Sequence, residues 1–196
     1  AANQEIIRRY YAALCDERTG LGSPETTYKI KLLIQQAGIS EEDRPVIAAA
    51  LAKEAATGEP AMAIELNDGR ILTGKTSTLM GSASAMLLNA LKASAEIPDE
   101  TLLMSREVIE PIMELKTGHL GNHNPRLHTD EILIALAICA VNDPVAKKAM
   151  DQLPALKNCE AHSTVMLSQV DVNTFRKLGI HLTCEPKHQT KKLFHK

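Results

Sequence analysis

Apolar residues at helical spacing open the chain. Ile6, Ile7, Tyr10, Tyr11 and Leu14 form one stripe that Asn3 can cap and that ends near Gly20. A second helix follows, with Ser23 as its cap, Pro24 at the first helical position, Tyr28, Leu32 and Leu33 on one face, and Gly38 as its stop. A third has VIAAALAKEAA as its body, Ser40 or Asp43 as its cap, and Gly58 with Pro60 at its end. From Pro60 the period shortens. Met62, Ile64 and Leu66 alternate with Ala63 and Glu65, NDGR intervenes, and ILTGK resumes, which predicts a hairpin closed by a two-residue type I′ turn at Asp68 and Gly69.

Further along, helical spacing returns from about Leu79 to Ala95, with Leu87, Leu88 and Leu91 facing inward and small residues Gly81 to Ala85 allowing close packing on a sheet. LLMS (102–105) reads as a short strand, and SREVIEPIMELKTG as a helix that Pro111 kinks or breaks early. ILIALAICAV, apolar all round, predicts a buried helix with Thr129 as its N-cap. PVAKKAMDQL is a short helix, CEAHSTVMLS an interior strand, DVNTFRKLG an amphipathic helix, IHLTCE a last strand and KHQTKKLFHK a solvated tail.

This order predicts an α/β protein: a helical unit over residues 1–58, then a three-layer α/β/α domain on a mixed sheet over residues 59–196. The order resembles the cytidine-deaminase-like architecture in topology alone. The His-x-Glu and Pro-Cys-x-x-Cys zinc signature of that fold is missing, which argues against deaminase chemistry.

Composition narrows the classes. With 44% apolar residues over 196 positions the chain can bury a sizeable core, and its 3% aromatic content leaves that core to Leu, Ile, Val, Met and Ala. A net charge of -2 gives no basic footprint for nucleic acid. No run of some 18 apolar residues could cross a bilayer. Cys15, Cys139, Cys159 and Cys184 lie far apart, which fits reduced thiols and a cytoplasmic location. The opening AANQ lacks a Met and reads as a segment of something longer.

One stretch matches a nucleotide-binding pattern. GRILTGKT (69–76) satisfies G-x-x-x-x-G-K-[ST], yet Ile71, Leu72 and Thr73 suit a pleated strand rather than a bare nest of N–H groups, and Gly69 is already used by the turn. The hairpin is the stronger reading. Lys75 and Thr76 still precede a helix directly and are placed to touch an anion.

NPRLHTDE, CEAHST and FRKLGIHLTCEP, taken together, resemble the C-terminal region of a bacterial family, domain of unknown function eighteen forty-six. The resemblance covers nearly the whole chain. Some members carry an ATP-dependent peptidase label, and full-length members have an N-terminal region with a phosphate-loop-like segment of its own. The resemblance therefore implies a fragment whose partner is the N-terminal region of its own protein. It carries over no catalytic residue.

Candidate chemistry rests on individual side chains. His119, His123 and His128 cluster in sequence, and His162, His181 and His188 follow. Cys159-x-x-His162 and His181-x-x-Cys184 mimic zinc spacing, but both lie in strand-prone stretches where positions three apart face opposite ways, so no metal is expected to be needed for folding. Cys159 or Cys184 with His128, His162 or His181, or Ser163 served by His162, would be nucleophilic pairs. No GxSxG or HExxH accompanies them. Arg126, His128 and Thr129, at the start of the apolar helix, suit an anion, although Asp130 and Glu131 compete for the same dipole. That helix must lie on the sheet, so NPRLHTDE is expected to meet CEAHST at one edge. Arg126, His128, Thr129, His162, Ser163 and Thr164, with Lys75 and Thr76, would then receive a small anionic ligand. Two functions remain open: a non-catalytic module that contacts ligand and associates with the N-terminal region or with itself, and a hydrolase or transferase domain using Cys/His or His/Ser chemistry.

Overall fold

A computed structural model describes residues 2–189. Among the described residues eight α-helices and four strands follow one another: α1 (Ala2–Thr19), α2 (Pro24–Gln36), α3 (Val46–Thr57), β1 (Ala61–Glu65), β2 (Ile71–Lys75), α4 (Ser82–Ser94), α5 (Arg106–Glu114), α6 (Thr129–Cys139), α7 (Pro144–Met150), β3 (Glu160–Ser163), α8 (Gln169–Lys177) and β4 (His181–Cys184). The sheet runs β2-β1-β3-β4. β1 is antiparallel to both β2 and β3, and β3 is parallel to β4, so the sheet is mixed. This order does not by itself establish the cytidine-deaminase-like arrangement.

Alternation along β1 sorts its side chains onto two faces. Met62 and Ile64 join Met86, Leu87 and Leu91 of α4, Ile132 and Leu136 of α6 and Phe175 of α8 in the main core. Ala63 faces the other way, onto Val46 and Ala50 of α3. On that face Arg44 is fully buried, pairing with Glu160 at 3.1 Å and donating to the carbonyl oxygens of Ala161 and His181.

The GRILTGKT stretch is a hairpin, with Glu65 paired to Ile71 and Ala61 to Lys75. Its turn differs from the expected type I′ form. Gly69 N–H donates to the Leu66 carbonyl and Leu66 N–H to the Arg70 carbonyl, and only Gly69 has a positive φ, +86°. These features define a three-residue loop, a type I turn followed by a left-handed glycine. Gly74 has a different task. A Cβ there would lie 2.2 Å from the Met86 nitrogen and 2.6 Å from its Cα, so glycine is what lets α4 press onto β2.

Five other local expectations change. Asn3 lies inside α1, and its amide donates to Asp43 Oδ2 at 3.3 Å. Ser40 and Asp43 close a 3-10 turn over Glu41–Asp43, and α3 starts later, after Pro45. LLMS forms no strand: Leu103 and Met104 are both buried beside exposed Leu102, which is not an alternating pattern. α5 continues through Pro111 to Glu114 and ends in a π-helical turn over Leu115–His119. Finally, α6 is not enclosed. Ile132, Ala135 and Leu136 are buried, whereas Ile134 and Ile138 are 61% and 65% exposed, because no element among the described residues covers the outer side.

Candidate functional site: a polar cavity at the start of α4

Two loops meet where α4 begins. Leu127 N–H donates to the Leu79 carbonyl at 3.1 Å, and Ser84 Oγ donates to the Leu127 carbonyl at 3.0 Å. Leu127 itself is buried in the core. Its neighbours in sequence, Arg126 and His128, line a cavity of about 40 Å³ together with Thr76, Gly81, Ala83, Ser84, Ser168 and Asp171. Lys116, buried on the π-helical turn, braces the same loop by donating to the Arg126 carbonyl and to Glu131 Oε2, each at 2.6 Å.

The two helices that open here differ in how their N-termini are satisfied. At α6, His128 and not Thr129 is the N-cap, and Thr129 is the first helical residue, so the helix starts one position earlier than expected. His128 N–H donates to Glu131 at 2.8 Å. Thr129 N–H and hydroxyl both donate to Asp171 Oδ1 at 2.9 Å. This terminus is closed by carboxylates. At α4, Gly81 supplies no capping side chain and the first turn holds no acid. The N–H groups of Ser82, Ala83 and Ser84 have no acceptor among the described residues. Two hydroxyls beside them, those of Thr76 (3% exposed) and Ser82 (1% exposed), are buried without a hydrogen-bond partner.

His128 is oriented rather than loose. Its Nδ1 lies 3.1 Å from Asp171 Oδ2 and 3.3 Å from Ser168 Oγ, and Ser168 also donates to Asp171 Oδ2 at 2.8 Å. Nε2 has no partner among the described residues. The hydrogen bond to Asp171 raises the His128 pKa, opposed by burial. For Asp171, burial pushes upward, but the bonds from His128 and Thr129 outweigh it and the pKa is lowered. Both shifts favour the imidazolium–carboxylate pair. Arg126 donates from Nε to the Ser77 carbonyl at 2.5 Å, and its pKa is lowered by burial against the opposing charge of Glu59.

Other sequence candidates lie elsewhere. Lys75 is exposed on β2 and does not line the cavity. His162 sits on the α1 side of the sheet, with Nδ1 2.8 Å from Thr183 Oγ1, Nε2 3.2 Å from Glu185 and its ring edge-on to Tyr11 at 5.0 Å. Ser163 Oγ donates to the Val165 carbonyl at 2.7 Å, and Thr164 Oγ1 accepts from Ala61 N–H at 3.0 Å. Thus NPRLHTDE meets the TGKT end of β2 and the start of α8, while His162, Ser163 and Thr164 stay outside the cavity wall.

Cys15, Cys159 and Cys184 show no activation. Cys159 is raised by burial and lies 3.8 Å from the Ala155 carbonyl, while burial pushes Cys15 up to about 11 and Cys184 up to about 12. Raised values suppress the thiolate that a nucleophile needs. Among the described residues no group of three or more His, Cys, Asp or Glu side chains is arranged to hold a metal ion. Nor is any helix among them long and apolar enough to cross a membrane.

Sequence reasoning missed Asp171 and Ser168. The signal was present: Ser168-x-x-Asp171 is a helix-capping pattern, and Ser168 Oγ does accept from Asp171 N–H at 3.2 Å.

Fold and site together define a mixed α/β domain with an unsatisfied helix N-terminus in a polar cavity. The chain belongs to the family described as domain of unknown function DUF1846, C-terminal, whose model matches residues 42–194. Among its relatives, a UPF0371 protein of Corynebacterium glutamicum (strain R) is 52% identical over 196 residues, spanning 100% of this chain and 40% of the relative. A UPF0371 protein of Corynebacterium efficiens is 53% identical and one of Streptococcus thermophilus (strain ATCC BAA-250 / LMG 18311) 50% identical, with the same coverage. The chain thus spans about 40% of the length of the curated relatives it matches.

Proposed function

We propose that this chain is a non-catalytic module of a larger protein, and that its cavity at the start of α4 holds an anionic group of a ligand shared with the rest of that protein. The observation that carries this reading is the buried, unpartnered hydroxyl of Thr76 beside the bare N-terminus of α4. An orphaned buried hydroxyl costs about 1–3 kcal/mol, a cost that an incoming acceptor removes. Backbone N–H groups and the helix dipole supply positive potential there, and the His128–Asp171 pair sets an imidazole nitrogen at the wall. The test is thermal unfolding of the chain with inorganic phosphate. At tenfold excess over Kd, binding to the folded state adds about 1.4 kcal/mol, or about 3–6 °C for a chain of this size. No shift with any small anion would refute the reading.

Association with the rest of the protein has its own support. The outer stripe of α6, Ile134 and Ile138, and Val141 in the turn after it are apolar and exposed, and the relatives are longer than this chain. We assign its cover to the remaining part of the longer protein. Ile138→Glu should change the stability of this chain by less than about 0.5 kcal/mol, yet loosen the domain in the full-length protein. Equal behaviour in both contexts would count against this assignment.

A second reading, a hydrolase or transferase, draws on His128 alone: Asp171 holds Nδ1 and leaves Nε2 for proton transfer. Ser168 is not its nucleophile, because it approaches the same Nδ1 that Asp171 holds. Turnover of a phosphate or carboxylate ester by the full-length protein, lost in His128→Asn with binding retained, would favour it.

A further inference from the structure

Resting on the anion-site reading above, we infer that the group this cavity selects is the terminal phosphoryl of a phosphomonoester, in preference to a carboxylate or a phosphodiester. Three separate elements supply its donors. The first turn of α4 offers the N–H groups of Ser82, Ala83 and Ser84, the end of β2 offers the Thr76 hydroxyl, and the loop before α6 offers His128 Nε2. A planar carboxylate presents about four lone pairs in one plane, fewer than the donors named on these three elements. A terminal phosphoryl presents three oxygens around a tetrahedral centre, each able to accept more than one hydrogen bond.

Size points the same way. A cavity of about 40 Å³ accommodates a compact terminal group rather than a whole ligand. The esterified oxygen must therefore point out of the mouth, and the body of the ligand lies outside this domain. Asp171 is no obstacle, because its oxygens already accept from Thr129 N–H, the Thr129 and Ser168 hydroxyls and His128. The charge of Asp171 is spent on holding His128 in place.

The experiment is a titration of the chain, followed by calorimetry and by amide shifts, with four probes: methyl phosphate, inorganic phosphate, dimethyl phosphate and acetate. The expected result is that methyl phosphate and inorganic phosphate bind at least tenfold more tightly than dimethyl phosphate and acetate. Thr76→Val should weaken methyl phosphate at least tenfold. If that variant does not fold, Thr76→Ala, which removes the same hydroxyl and puts nothing in its place, should weaken it severalfold. Equal binding of acetate and methyl phosphate would overturn the phosphoryl assignment and leave the anion site standing. Binding of dimethyl phosphate as tight as methyl phosphate would overturn the monoester assignment. Failure of all four probes would overturn both this inference and the anion-site reading.

Discussion

Two helix N-termini lie side by side in this domain, and the protein treats them oppositely. α6 begins with Thr129, Asp130 and Glu131, and its first N–H groups are taken by Asp171 and Glu131. α4 begins with Ser82, Ala83 and Ser84 after a glycine, without any acid, and leaves two buried hydroxyls unpaired beside it. Both carry the same dipole, so the dipole alone does not make a ligand site. What distinguishes them is whether the fold has already spent the donors. Closing α6 also has a use for α4: the carboxylate that caps Thr129 is the one that holds His128 toward the cavity.

The contrast can be broken most severely at Gly74. A methyl group there meets the backbone of Met86 rather than a movable side chain, so Gly74→Ala should cost about 3 kcal/mol or more and displace α4, as read by urea unfolding. Opening the closed terminus comes next. Asp171→Ala strands three hydrogen-bond donors and the His128 ring, and should cost about 2–3 kcal/mol in the same assay. A loss under 0.5 kcal/mol would mean that the α6 cap contributes little. Thr76→Val should do the reverse of both, because it removes an unpaired hydroxyl and keeps the shape; stability should hold or rise by up to about 1 kcal/mol while anion binding falls.

The smallest effect is in pH dependence. His128 is raised above 6.5 by Asp171, so its contribution is fully present below pH 6.5 and is lost as pH rises through the raised value. His162 opposes this: burial lowers its pKa, so the folded state is disfavoured as pH falls below 6.5. The two groups act on opposite sides of pH 6.5, so together they favour the folded state most near that pH. The difference in stability between wild type and His128→Asn should therefore shrink as pH is raised above 6.5, measured by urea unfolding at several pH values. A difference independent of pH would show that the Asp171 pair does not favour imidazolium.

Much of this contrast was legible in the sequence, though not where it was first sought. Ile71, Leu72 and Thr73 marked GRILTGKT as strand, and the strand is there; the turn type was missed because a left-handed glycine serves a three-residue loop as well as a type I′ turn. Thr129 is a preferred cap by local propensity, yet its hydroxyl goes to Asp171, forty-two positions away, and His128 takes the cap position. Periodicity likewise revealed that α6 is apolar on all sides but not that its outer side would be bare. At the site, Arg126, His128 and Thr76 were identified and do share one cavity. The same polar segments suggested His162, Ser163 and Thr164, which neither strand period nor spacing could assign to a face until β3 was registered against β1 and β4. The acid-free run from Lys75 to Ala85 was the overlooked signal, since a helix that starts without Asp, Glu or a capping side chain leaves its N–H groups for something else.

The most direct test is to follow backbone amide resonances while inorganic phosphate is added. The account predicts saturable shifts at Ser82, Ala83 and Ser84, with Thr129 and Glu131 unmoved because their N–H groups already donate to Asp171 and Asp130. Shifts centred on Thr129 to Glu131, or none at the start of α4 at saturating phosphate, would contradict it.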